Sequence, residues 1–246
     1  MALAVQIVEI LGPSDQGRSR PYKCRGEDGA IYYVKGRQTN RASLWNEWIC
    51  GHLAQSFGLQ VPAFEIVEVG ADLLRETPAE WRDLGTGPAF GSRHFPSAVW
   101  MEVGLIDLVP LSVQRDVLVF DWWVKNGDRL TGNTNLLLDA SAREPGKKLV
   151  VIDHNLAFDM NLSAPEFISH HVFAANWAAV SSDLVVQAEY SQRLSAALEC
   201  LPIACHNVPL EWNWANAEMD VPANFDLQHV QQTLNRCTTP ELWSPV

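Results

Sequence analysis

The chain is short of positive charge. Lysine and arginine total 18 against 29 aspartates and glutamates, for a net charge of −11, and no basic block stands out. General nucleic-acid binders work by neutralising phosphates with Lys and Arg, so this balance argues against that class. Any phosphate handled here must be met by a few placed groups or by a metal ion. Long apolar runs are also missing, and none could span a bilayer. The opening stretch MALAVQIVEILGPSD carries Glu9 and no early basic residue, so it reads as a first strand rather than a signal peptide. The expectation is a cytoplasmic protein with neither membrane nor nucleic acid among its partners.

Paired cysteines are absent as well. Cys24, Cys50, Cys200, Cys205 and Cys237 are odd in number, widely spread and without a CxxC spacing. They read as free thiols in a reducing compartment rather than as a disulfide or zinc framework. His170-His171 has no third or fourth ligand at metal spacing, which makes the pair structural or surface. There is no internal repeat and no low-complexity tract.

What the chain has in quantity is tryptophan, ten residues in all. Trp122-Trp123 and the EWNWANAEM segment point to aromatic packing in a core or interface, with ligand stacking as the alternative. At 246 residues there is room for one large domain or two lobes.

Residues 4–11 alternate loosely and predict a strand. PYKCRGEDGAIYYVKG predicts two strands about an Asp28-Gly29 turn. Residues 41–57 place Leu44, Trp48, Ile49, Leu53 and Phe57 on one helical stripe, stopped by Gly58 and Pro62. AFEIVEV is a further strand, residues 71–90 read as irregular, and FGSRHFP as a connector. SVQRDVLVFDWWVKNG predicts a helix with Ser112 as N-cap, and LVVID a buried strand. From Ala164 the chain reads as mostly helical, broken at Pro202, Pro209 and Pro222. The fold class expected is α+β and bilobal: a β-rich N-lobe over residues 1–100 and a mainly helical C-lobe over 101–246.

Four features lie in one order along this frame. A Gly-containing loop, Gly12 to Ser19, can cradle phosphates with its backbone N–H groups. Lys35 ends the strand IYYVK and either reaches water or meets an anion. Glu47 stands at the edge of the helical stripe, where it could pair with Lys35. Last comes NGDRLTGNTNLLL, with Asp153 beyond it at the end of LVVID. An Asp followed five positions later by an Asn, then an Asp ending a buried strand, is a phosphoryl-transfer arrangement. Asp128 would orient or deprotonate an attacking hydroxyl. Asn133, grouped with it at the catalytic centre, and Asp153 would hold Mg²⁺ through hard oxygen ligands. The competing reading of the loop is an Asx-rich turn that satisfies its own backbone.

SRPYKCRGEDGAIYYVKG, NEWICGHLAQSFGLQVP, AFGSRHF, VFDWWVKNGDRLTGNTNLLL and LVVIDHNLAFD together resemble the HipA-like kinases in their short, stand-alone form. The loop is similar to the DRHxxN type shared with phosphoinositide-kinase relatives. The resemblance implies a protein-kinase-like fold, ATP and Mg²⁺ as cofactors, and transfer of the γ-phosphoryl group to serine or threonine of a protein. It implies Asp128 as catalytic aspartate, Asn133 and Asp153 as magnesium ligands, and Lys35 on the ATP phosphates with Glu47 as its partner. Ser14, Gly17 and Ser19 fall in the phosphate loop, with Ser14 and Ser19 as candidate autophosphorylation sites. Phe90 and Ser92 fall in a connector beside the adenine. Some family members are growth-arresting toxins, so an antitoxin partner is among the expectations. Leu130 stands where the family has His, the extra N-terminal subdomain of long members is not expected because a chain of this length leaves no room for it, and the Gly-rich loop differs from theirs. A small-molecule or lipid kinase, and a nucleotide-binding pseudokinase acting as an interaction module, remain open alternatives at this point.

Overall fold

The computed structural model describes residues 4–14, 20–144 and 148–243. They form two compact units. One takes the described residues of 1–48, 62–96 and 205–225; the other takes those of 49–61, 97–204 and 226–246.

The first unit is built on strands β1 (Val5–Pro13), β2 (Tyr22–Gly26), β3 (Ile31–Lys35), β4 (Phe64–Val69) and β5 (Gly87–Arg93). The β2–β3 hairpin turns at Asp28-Gly29, where Gly29 takes a φ of 79°, as the Asp-Gly signal requires. An antiparallel meander accounts for β1, β2 and β3. The sheet then does something the local pattern does not announce. It closes into a barrel of order β1-β2-β3-β5-β4, through a parallel pairing of β1 with β4 that sets Val5 opposite Val67. A parallel pair needs a long crossover, and the hairpin plus helix between these strands provide it. Ile7, Tyr22, Cys24, Tyr32, Val34, Val67 and Ala89 fill the interior.

Two expectations are corrected here. Residues 71–90 are not irregular: they hold α2 (Ala71–Glu76), a 3-10 turn at Ala79–Leu84 and the start of β5. Phe90-Gly91-Ser92 is not a connector but the middle of β5, hydrogen-bonded to β3 on one side and β4 on the other. The sequence looked loop-like because Gly91 interrupts the apolar pattern. Packing explains that glycine, since a Cβ there would lie 2.4 Å from Val67 Cγ1.

α1 (Arg41–Phe57) follows the barrel's third strand. Asn40 caps it by accepting from the Ser43 N–H at 2.7 Å. At its end Gly58, with φ of 99°, and Leu59 both donate to the Ala54 carbonyl, a left-handed stop. Of the two tryptophans in 205–225, Trp212 packs as core and Trp214 is half-buried. Trp212 is fully buried and donates to the Pro88 carbonyl. Trp45 stacks on Phe225 at 4.5 Å.

The second unit carries a three-stranded antiparallel sheet of order β6-β7-β8, with β6 at Ala98–Trp100, β7 at Leu136–Asp139 and β8 at Leu149–Val151. Its main helices are α3 (Leu111–Trp123), α4 (Ala164–His170), α5 (Trp177–Ser181), α6 (Leu184–Leu198) and α8 (Leu227–Asn235); α7 (Leu201–His206) crosses from this unit into the first. Pro110 rather than Ser112 occupies the N-cap of α3; the fixed φ of proline sets the helix start two residues earlier. Pro202 likewise sits in the first turn of α7, where its missing N–H costs nothing. Trp122 and Trp123 are buried and donate to the carbonyls of Leu242 and Leu234. Among the described residues no helix is long and apolar enough to cross a membrane.

Candidate active site

In the first unit, the Lys35 ammonium is ion-paired to the Glu47 carboxylate. Both side chains are almost wholly buried, at 8% and 5% exposure. β3 delivers the lysine and the second turn of α1 delivers the acid, so the pairing expected from spacing alone is present. Burying two charges is costly unless they are paired, which makes a fixed, dry ammonium a feature that ordinary stability does not require. Ser14 stands at the base of the expected phosphate loop, its N–H donating to the Pro21 carbonyl at 2.7 Å. Gly17 and Ser19 lie outside the described residues. Phe90 is buried, stacks on Phe64 at 5.7 Å and lies opposite Lys35 in the β3–β5 register. Ser92 pairs across to Tyr33 and Phe64.

In the second unit the stretch 126–135 links α3 to β7. Asn126 begins it: its N–H donates to the Asp121 carbonyl, its amide donates to Asp121 Oδ1 at 3.0 Å, and its own oxygen accepts from Asp128 N–H. Leu130 and Asn133 then exchange backbone hydrogen bonds at 2.9 and 3.2 Å. That closes a tight turn with Thr131 and Gly132 exposed at its tip. The turn separates the two amides. Asn133 belongs to the turn, whereas Asn135 directly precedes β7 and meets the catalytic candidate. Its Nδ2 donates to both the main-chain oxygen and Oδ2 of Asp128, each at 3.1 Å. Its Oδ1 is buried and accepts no hydrogen bond. A buried carbonyl oxygen without a donor is costly and calls for an explanation such as an ion.

Strand register brings Asp153 to the same place. β7 and β8 are antiparallel with Leu136 opposite Val151, so the residue before β7 lies beside the residues after β8. The Ile152 N–H donates to the Asn135 carbonyl at 3.2 Å, and Asp153 is next in the chain. Asn135 and Asp153 both hold the left-handed conformation, with φ of 48° and 61°. Such backbone is uncommon outside glycine and concentrates at functional sites.

Sequence reasoning missed what holds this loop together. Arg129 and Asp121 are fully buried. The guanidinium straddles the carboxylate, Nε to Oδ2 at 2.5 Å and Nη2 to Oδ1 at 3.2 Å. Its remaining nitrogen donates to the carbonyls of Asn135 at 2.5 Å and Ile152 at 3.2 Å. One side chain therefore ties α3, the loop and the end of β8 together, and grips the residue next to Asp153. The available signal was a lone acid inside the apolar helical run VLVFDWWV.

His171 completes the cluster. Phe173 N–H donates to its Nδ1 at 3.1 Å, so Nδ1 is unprotonated and Nε2 carries the proton it gives to Asp121 Oδ2 at 3.0 Å. His171 is thus structural, while its neighbour His170 is exposed. Burial alone would push the Asp121 carboxyl up. The Arg129 charge and the His171 hydrogen bond outweigh it and hold the group well below the usual carboxylate range. Burial pushes His171 down, against the pull of Asp121.

The unfolded chain protonates this histidine near its ordinary value of about 6.5, while the folded chain resists. The unfolded state therefore binds more protons in that window, and stability falls as pH drops through it. His52, also pushed down by burial, acts in the same sense. The expected result is a lower melting temperature at pH 5.5 than at pH 7.5, with part of the slope removed in His171→Gln. A melting temperature that rises on acidification would contradict the neutral assignment.

The model of the family described as HipA-like kinase matches residues 7–246. No curated protein matches. Among solved structures the chain is similar to the Golgi casein kinase, at 10% identity and a TM-score of 0.56, over 96% of this chain and 71% of that one. It is also similar to the Golgi casein kinase with Mn/ADP bound, at 11% identity and a TM-score of 0.51, over 95% and 71%. Identities this low speak to the fold alone, and the fold is α+β and kinase-like. The family match runs through nearly the whole described chain, and this protein belongs to the HipA-like kinases.

Proposed function

We propose that the protein is a bilobal, ATP-dependent kinase that phosphorylates serine or threonine hydroxyls of another protein. The observation that carries this reading is the Asp128–Asn135 pair with its undonated Asn135 Oδ1, set by the β7–β8 register beside Asp153. In the first unit Lys35, fixed by Glu47, is the cation we assign to the ATP phosphates. In the second, Asp128 receives or orients the acceptor hydroxyl.

A divalent cation fits the oxygens present: a buried amide oxygen with nothing to accept, and a carboxylate, both hard donors. Asn135 and Asp153 would hold it, in place of the Asn133 expected from spacing. Bound there, it would offset phosphate charge during transfer. Mg²⁺ is the ion proposed; the Golgi casein kinase seen with Mn/ADP supports nucleotide and divalent-metal use by this fold. The net charge of −11 favours a protein substrate over an anionic lipid surface. Family membership supports a growth-arrest role with an antitoxin partner.

The test is transfer of labelled phosphate from ATP to protein. Asp128→Ala should lower the rate roughly 10²–10⁴-fold, the usual contribution of a placed acid–base group, with an unchanged melting temperature. Full activity in this variant removes Asp128 from the chemistry. The same pair of proteins tests the toxin role: the wild type should slow a bacterial culture and Asp128→Ala should not.

A further inference from the structure

The second unit contains a cavity of about 240 Å³ that none of the roles above uses. Gly127 and Leu130, which line it, bracket Asp128 in the loop. The cavity therefore lies beside the residue assigned to the acceptor hydroxyl. Leu162 and Phe167 form its apolar floor and are buried. Gly127 is needed here, because a Cβ would come within 2.9 Å of Leu162 Cδ1.

The other walls are polar. Glu166 and His170 line the cavity, one turn apart on α4. His170 Nδ1 lies 2.9 Å from the Glu166 carbonyl oxygen. That oxygen can only accept, so Nδ1 bears the proton, and Nε2 of the neutral ring is an acceptor. The Glu166 carboxylate is also an acceptor, and among the described residues it takes no hydrogen bond or ion pair. An apolar floor beneath two acceptors, one of them anionic, selects an occupant with an aliphatic stem and a cationic donor tip. An acidic side chain would be repelled, and an apolar one would strip water from both acceptors without replacing it. Size points the same way, because small-molecule sites usually run from about 300 to 1,000 Å³ and this cavity suits a single side chain.

We propose that this cavity receives an arginine or lysine of the substrate protein, near the residue that is phosphorylated. The inference rests on the protein-kinase reading above and adds the substrate's local sequence to it. A serine and threonine peptide library, with one flanking position fixed at a time, and a dephosphorylated lysate are each incubated with Mg·ATP and the kinase. Phosphorylated sites are then mapped by mass spectrometry. Wild-type protein should favour Arg or Lys at one flanking position, by roughly tenfold, the scale of a hydrogen-bonded charge. Glu166→Gln should weaken the preference at that position and Glu166→Lys should turn it towards Asp or Glu. Glu166 is exposed, so both variants should fold. Wild-type sites without basic enrichment, or an enrichment that Glu166→Lys leaves intact, overturn the assignment of this cavity alone. Failure of the wild type to phosphorylate any protein or peptide, while it still hydrolyses ATP, overturns the protein-kinase reading itself and the cavity assignment with it.

Discussion

On the proposed cation site, ATP with Mg²⁺ should stabilise the folded protein, Asn135→Ala should abolish that stabilisation, and Asn133→Ala should leave it in place. A ligand at about a hundred times its Kd stabilises by roughly 2.7 kcal/mol, which for a chain of this size is a melting shift of roughly 5–10 °C. The two asparagines are two residues apart and chemically identical, so the comparison isolates position. Asn135 is the one whose amide grips Asp128 and whose oxygen is buried without a donor. Alanine at φ of 48° is itself strained, so Asn135→Gly serves as a second variant, and each shift is read against that variant's own ligand-free melting point. The reverse pattern, with the shift lost in Asn133→Ala and kept in both Asn135 variants, would restore the ligand inferred from spacing.

The choice between these asparagines shows where sequence reading stops. Local patterns were sufficient for β1 to β4, for the Asp28-Gly29 turn and for the body of α1 and α3, because alternation, helical stripe and cap signals lie within a few residues of each other. Lys35 and Glu47 were also recoverable, since a strand end and a helical stripe edge fix where each side chain points. Barrel closure was not. Pairing of β1 with β4 is a contact between strands some sixty residues apart, and nothing in either strand encodes the partner. β5 was hidden by Gly91, whose reason is the nearness of Val67. Counting five residues from Asp128 leads to Asn133, and the count carries no information on how the loop between them folds. The Leu130–Asn133 turn leaves Asn135, two places on at the edge of β7, as the amide bonded to Asp128, and the proposed cation site rests on that bond.

Arg129→Met should be the most destabilising single substitution in the loop. It leaves Asp121 ionised and fully buried without its guanidinium, and breaking such a pair from one side costs roughly 3–5 kcal/mol. That is a large share of the roughly 5–15 kcal/mol that stabilises a typical domain. Lysine is a poor substitute, because one ammonium cannot both fork onto two carboxylate oxygens and reach the carbonyls of Asn135 and Ile152. Asp121→Asn combined with Arg129→Met removes both charges, so the double variant should regain much of the lost melting temperature. It should not regain phosphoryl transfer. The bonds from Arg129 to the Asn135 and Ile152 carbonyls are missing in both variants, and those bonds hold the main chain at Asn135 and next to Asp153. A purely structural role for Arg129 predicts that activity returns with stability. A positioning role predicts that kcat stays low in a folded protein, and the double variant separates the two.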